Sequence, residues 1–117
     1  MNERQALIAF AALAQEHRLR LVRQLVMVGP DGLASGTLAS EVGISASSVS
    51  FHLKELEHAG LAQSRREGRS IIYSAAYPAL SGLVEFLMKD CCQGHPAVCT
   101  AAVAAIASCC SEGIAHA

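Results

Sequence analysis

The punctuation between Ser35 and Gly60 constrains this chain more than any other feature. Leu38 and Val42 recur at helical spacing up to Gly43, and Val49, Leu53 and Leu56 fall on one face of a second helical stretch that stops at Gly60-Leu61. Ser35 and Ser45 stand where a side-chain oxygen can cap each helix, and Gly43 and Gly60 stand where a left-handed C-terminal stop is favoured. Two short helices joined through Gly43-Ile44 are a helix-turn-helix signal.

The flanking segments frame that pair. A first helix is expected from about Glu3 to Leu13, with Leu7 and Phe10 on its apolar side, and a second after Gln15 through Leu19, Val22, Leu25 and Val26, stopping near Gly29-Pro30. Gly29-Pro30-Asp31-Gly32 reads as a loop. After Gly60, Leu61 to Arg66 and Arg69 to Ala75 flank Glu67-Gly68, and Ile71, Ile72 and Tyr73 are strand formers, so a β-hairpin is expected. Leu80, Leu83, Val84, Leu87 and Met88 then carry a last helix up to Cys91 and Cys92. The fold class is therefore mainly α with a β-hairpin wing, a winged helix-turn-helix. With 117 residues and 52% apolar side chains the chain suits one compact domain, and a second independent domain is not expected. No secretory leader or bilayer-length apolar run is apparent, and the Ala101 to Ala107 stretch is too short to span; a cytoplasmic protein without a membrane partner is expected.

The outer face of the second short helix suggests its use. At about 100° per residue, Ser47, Phe51, Lys54 and His58 lie opposite the apolar stripe, with Ser48 and Ser50 on the flanks. Small hydroxyls admit close approach, an apolar ring can touch a thymine methyl and lysine meets phosphate, which together suit a reader of the DNA major groove; a solvated face with one stray phenylalanine has the same pattern. Formal charge is only −1, but its distribution is uneven. Arg65, Arg66 and Arg69 crowd the hairpin, whereas residues 78–117 hold Lys89 as their only Lys or Arg. A basic hairpin directly after a recognition helix has the position of a wing whose arginines contact backbone phosphates or enter a minor groove.

Three of the five cysteines lie in Cys91-Cys92-Gln93-Gly94-His95-Pro96-Ala97-Val98-Cys99. Thiolates are soft ligands that suit As(III), Sb(III), Cd(II) or Zn(II). Pro96 can start a new helix, Gly94 and His95 form a corner, and Cys99 then falls in a first helical turn that favours the thiolate. Cysteines buried as small hydrophobes have the same spacing, and both readings stand on spacing alone. If residues 97–110 are one helix, Cys110 lies about 16 Å along the axis from Cys99, too far to share its ion, so Cys109 and Cys110 are left outside the site.

Leu13-Ala14-Gln15-Glu16-His17-Arg18-Leu19-Arg20-Leu21-Val22-Arg23, Ser48-Val49-Ser50-Phe51-His52-Leu53-Lys54-Glu55-Leu56-Glu57-His58-Ala59-Gly60-Leu61 and Arg66-Glu67-Gly68-Arg69-Ser70-Ile71-Ile72-Tyr73 resemble the ArsR-type family of arsenic- and metal-responsive repressors. The resemblance covers roughly residues 5 to 92. It implies a homodimeric winged-helix repressor, paired through its first and fifth helices and bound to operator DNA when ion-free. One arsenic-sensing subset carries a cysteine pair in the third helix, but Leu33 to Gly43 contains none; zinc-sensing members use Asp and His on the last helix, and residues 78–92 contain no His. Another arsenite-sensing subset has an adjacent cysteine pair after the fifth helix and a third cysteine downstream, which Cys91, Cys92 and Cys99 resemble. What the resemblance implies is a DNA-binding and dimerisation domain over 1–92 and a helical extension over 93–117 that completes a three-thiolate site. As(III) is the expected inducer, with Sb(III) or methylated As(III) as variants and no organic cofactor. Ser47, Ser48, Ser50, Phe51, Lys54, Arg65, Arg66 and Arg69 are the expected DNA contacts. Sensing of Cd(II), Zn(II) or thiol oxidation is the alternative, and an enzyme is not expected, because no cysteine has an assigned base.

Overall fold

A computed structural model describes residues 1–89 of the chain. Along it run α1 (Glu3–Leu13), α2 (Glu16–Val28), β1 (Leu33–Ala34), α3 (Ser35–Val42), α4 (Ala46–His58), β2 (Ala62–Glu67), β3 (Ser70–Ala75) and α5 (Tyr77–Met88). Met1–Leu83 form one compact unit and Val84 opens a second. The boundary expected at 92/93 lies outside the described residues.

Local chemistry sets most of the helix ends. Asn2 and Gln5 make a reciprocal capping box at the start of α1, with Gln5 N donating to Asn2 Oδ1 at 2.8 Å and Asn2 N to Gln5 Oε1 at 2.9 Å. Gln15 caps α2 by accepting from Arg18 N at 2.9 Å. Ser45 caps α4 as expected, accepting from Ser48 N at 3.2 Å. The Ser35 expectation is corrected: Ala34 is the N-cap of α3 and Ser35 already belongs to the helix. The reason is the extended pairing of Leu33 and Ala34 with β3, which leaves Ala34 as the last non-helical residue. Gly43 ends α3 in the left-handed region at φ +79°, and the Ile44 amide closes back on the Ala39 carbonyl at 3.0 Å. Leu61 N closes on Leu56 O at 2.9 Å in the same manner after α4.

The centre of the core is made by Leu21 and Leu25 of α2, Leu38 of α3, Val49, Leu53 and Leu56 of α4, and Leu61, the largest side chains under 2% exposed. The expected stripe of α4 is thereby observed. Two others are corrected: α1 buries Ala6 and Ala9 while Leu7 is exposed and Phe10 half-buried, and α2 buries Val22 and Leu25 as expected but adds Leu21, while Leu19 and Val26 are exposed. Small side chains let α1 lie close against α2 and α4, which leaves its larger residues facing outward.

The sheet has the order β1-β3-β2, antiparallel throughout. The hairpin is one residue out from its expected turn. Glu67 pairs with Ser70, so the two-residue loop is Gly68-Arg69, because Gly68 at φ +63° supplies the backbone that the first position of a tight hairpin needs. The pairing of Leu33 with Tyr73 and Ala34 with Ile72 makes β3 the central strand, and Tyr73, Ser74 and Ala75 are buried. α5 is observed to Met88 with Leu83 buried; its expected continuation to Cys91 lies outside the described residues. None of the helices described is long and apolar enough to cross a membrane.

Leu53→Ala, at the centre of this core, should lower stability by about 2–5 kcal/mol in urea denaturation, and a loss under about 1 kcal/mol would remove α4 from the core assigned to it.

Candidate nucleic-acid interface

Because Val49, Leu53 and Leu56 point inward, α4 turns the remaining arc of its surface outward. Ser47, Ser48, Ser50 and Lys54 are exposed there, and Phe51 is 56% exposed. The three hydroxyls at the helix start form a small array: Ser45 Oγ lies 3.2 Å from Ser47 Oγ and 2.9 Å from Ser48 Oγ. Hydroxyls rotate between donor and acceptor roles, so Ser47 and Ser48 can exchange these contacts for base edges or phosphate oxygens. The expected outward face is thus assembled as read from the periodicity.

The wing is set against this helix by a side-chain bond. Ser64 Oγ, on β2, donates to Glu57 Oε2, on α4, at 2.7 Å. Arg66 and Arg69 are exposed near the tip, where Arg66 Nε donates to Gly68 O at 3.4 Å. Arg65 is also exposed but is engaged with Asp31 and Glu67. An open groove of about 610 Å³ between α3 and the start of β3 adds Ser35, Thr37, Ser40 and Ser70 beside Arg69, a donor set suited to phosphate oxygens. Helical periodicity does not reveal these α3 residues, because they become neighbours of the wing only once β1 pairs with β3.

A second cluster, also unforeseen, holds α4 from behind. Arg18 Nε donates to Ala12 O at 2.7 Å and its Nη1 lies 3.4 Å from His52 Nδ1. A guanidinium only donates, so His52 Nδ1 accepts and the neutral ring carries its proton on Nε2. His17 lies beside it with ring centroids 5.5 Å apart, and Phe51 meets the His52 ring edge-on at 5.4 Å. Burial first, then the Arg18 charge and His17, hold the His52 pKa below its ordinary 6.5, against a smaller opposing effect of Glu55.

Among the described residues no group of three or more His, Cys, Asp or Glu is arranged to hold a metal ion. Cys91, Cys92 and Cys99, with Cys109 and Cys110, lie outside the described residues.

Comparison with known proteins agrees with this geometry. A family model described as a helix-turn-helix domain matches residues 13–65. The transcriptional activator HlyU of Vibrio cholerae is 30% identical over 94 residues, covering 80% of this chain and 84% of that protein. An ArsR-like transcriptional regulator from Rhodococcus sp. RHA1 superposes with a TM-score of 0.67 at 27% identity, over 88% of this chain and 92% of that one. A homodimeric winged helix-turn-helix DNA-binding domain from Mycobacterium bovis, named as a possible ArsR-family regulator, gives 0.57 at 26% identity over 76% and 93%. A structure named "Possible transcriptional regulator for arsenical resistance" gives 0.59 at 29% identity over 68% and 79%.

The unfolded chain takes up the His52 proton near pH 6.5 while the folded chain resists it, so stability is full above that pH and declines as pH falls from 6.5 towards the lower folded value. Thermal melting from pH 7.5 to 5.5 should therefore show a smaller loss for His52→Gln than for the parent chain; equal losses would mean that burial and the Arg18 charge do not hold the His52 pKa down in the folded chain.

Proposed function

The chain belongs to the ArsR family of winged-helix, DNA-binding transcriptional regulators, and from that premise we propose that it is an arsenite-responsive repressor, binding operator DNA as a homodimer and leaving it when As(III) joins Cys91, Cys92 and Cys99. The observation that carries the DNA half is the outward face of α4 beside the wing: three small hydroxyls, an exposed Phe51 and Lys54, flanked by Arg66 and Arg69. Two α4 helices of a dimer, placed in successive major grooves, read a two-fold operator, and the wings add phosphate contacts. Pairing of two copies is supported by Leu7 and Ile8, exposed on α1 at 62% and 48%, by Val84 and Leu87, exposed on α5, and by the homodimeric Mycobacterium bovis domain.

The sensing half rests on chemistry and sequence. Three thiolates satisfy trivalent arsenic, whose lone pair takes the remaining position, whereas zinc in a structural site takes four ligands. The Cys91-Cys92 pair with Cys99 downstream supplies three, and a structure similar to this chain is named as a possible transcriptional regulator for arsenical resistance. Linkage requires that DNA weaken arsenite binding by the factor by which arsenite weakens DNA binding, typically about 1–3 kcal/mol.

Duplexes selected from a random pool by the reduced protein provide the probe. Cys91→Ser, Cys92→Ser and Cys99→Ser should bind the selected duplex as the parent does but lose release by arsenite, because a serine hydroxyl stays protonated at neutral pH and is a poor ligand for As(III). Cys109→Ser with Cys110→Ser should keep the response. Loss of response in that double variant, with retention in the Cys99 variant, contradicts the site; release by cadmium, zinc or an oxidant but not by arsenite contradicts the inducer.

A further inference from the structure

The three wing arginines read alike in the sequence, but the fold gives them different surroundings. Alternation along β2 puts Ser64 and Arg66 on one face and Arg65 and Glu67 on the other. Ser64 bonds to Glu57, so the first face is the one turned towards α4. Arg65 reaches the opposite way: its Nη2 donates to the Asp31 carbonyl at 2.6 Å and its Nε to Glu67 Oε1 at 3.3 Å. Asp31 belongs to the loop between α2 and β1, and that loop is itself pressed onto the sheet. At Gly32, with φ +72°, a Cβ would run into the Tyr73 carbonyl and crowd the Ile72 side chain. Ile72 is the residue paired with Arg65 across the ladder, so guanidinium and loop meet on one face.

Those contacts divide the arginines by what they have left to offer. The Arg65 charge is partly offset by Glu67, and its fork is already committed to an acceptor in another segment. Among the described residues Arg66 reaches only the Gly68 carbonyl of its own turn, and Arg69 at the tip has no hydrogen bond or ion pair.

We propose that Arg65 is a positioning residue that straps the wing to the α2–β1 loop, and that Arg66 and Arg69 carry the wing's phosphate contacts. The proposal rests on DNA binding through the wing. It replaces the equal role that sequence assigns to all three. With the strap in place the hairpin is fixed against both α4 and the end of α2 before DNA arrives; without it, binding must itself order the wing.

The test is a salt series of binding to a fluorescein-labelled duplex of mixed sequence, read by anisotropy, for the full chain and for Arg65→Ala, Arg65→Lys, Arg66→Ala and Arg69→Ala. Each lost phosphate contact flattens the slope of log K against log salt by about 0.9. Arg66→Ala and Arg69→Ala should show that flattening. Arg65→Ala should weaken binding about two- to tenfold with the slope unchanged, and Arg65→Lys should do the same, since an ammonium keeps the charge but not the fork. Hydrogen exchange of the free Arg65→Ala protein should rise at Gly32 and β1 while the melting temperature holds; a role confined to overall stability would lower melting and leave the folded protein's affinity where it was. A slope flattened in Arg65→Ala as in Arg69→Ala, with Arg65→Lys like the parent, overturns the strap, as does unchanged exchange at Gly32. If no variant alters the slope, DNA binding through the wing fails, and exchange at Gly32 alone then decides whether the strap exists.

Discussion

Burial of Val49, Leu53 and Leu56 against the leucines of α2 and α3 is the constraint from which the rest of this structure follows. A helix of 3.6 residues per turn that commits one stripe to a core has no choice about the other side. Ser47, Ser50, Phe51 and Lys54 are outward because those three are inward, and Leu61, fully buried just after α4, pins the point at which the chain turns into the wing. The Ser64–Glu57 bond then relates wing to helix. The outward face of α4 and the setting of the wing are thus consequences of one packing decision.

What was legible in the sequence is what short-range physics decides. The α4 stripe, the Ser45 cap and the glycine stops at Gly43 and Gly60 depend on residues within a turn or two, and they stand where periodicity and capping place them. The misplacements have a longer range. Ser35 fails as a cap because β1 pairs with a strand almost forty positions later, and a two-residue strand has no periodicity to betray it. Leu7 and Leu19 look like core positions by hydrophobicity alone; the close approach of α1 through Ala6 and Ala9 selects otherwise.

The candidate site shows the same division. Its exposed α4 residues were readable because a helix face is a local property. The different surroundings of Arg65, Arg66 and Arg69 were not, since they depend on an Asp31 carbonyl 34 positions away, and the contact between Arg18 and His52 spans the same separation. Net charge was the least informative quantity. A formal charge of −1 conceals a basic hairpin beside a helix N-terminus, and DNA responds to the local field and not to the sum.

The central claim is that α4 and the wing together meet DNA. Hydrogen exchange of the full chain with and without a bound duplex tests it directly, because protection is read along the backbone independently of any substitution. Slowed exchange at Ser45–Phe51 and around the Gly68-Arg69 tip, with α1 unchanged, is the result expected; protection confined to α1 and α5 with α4 and the hairpin unaltered would contradict the assignment of the reading surface.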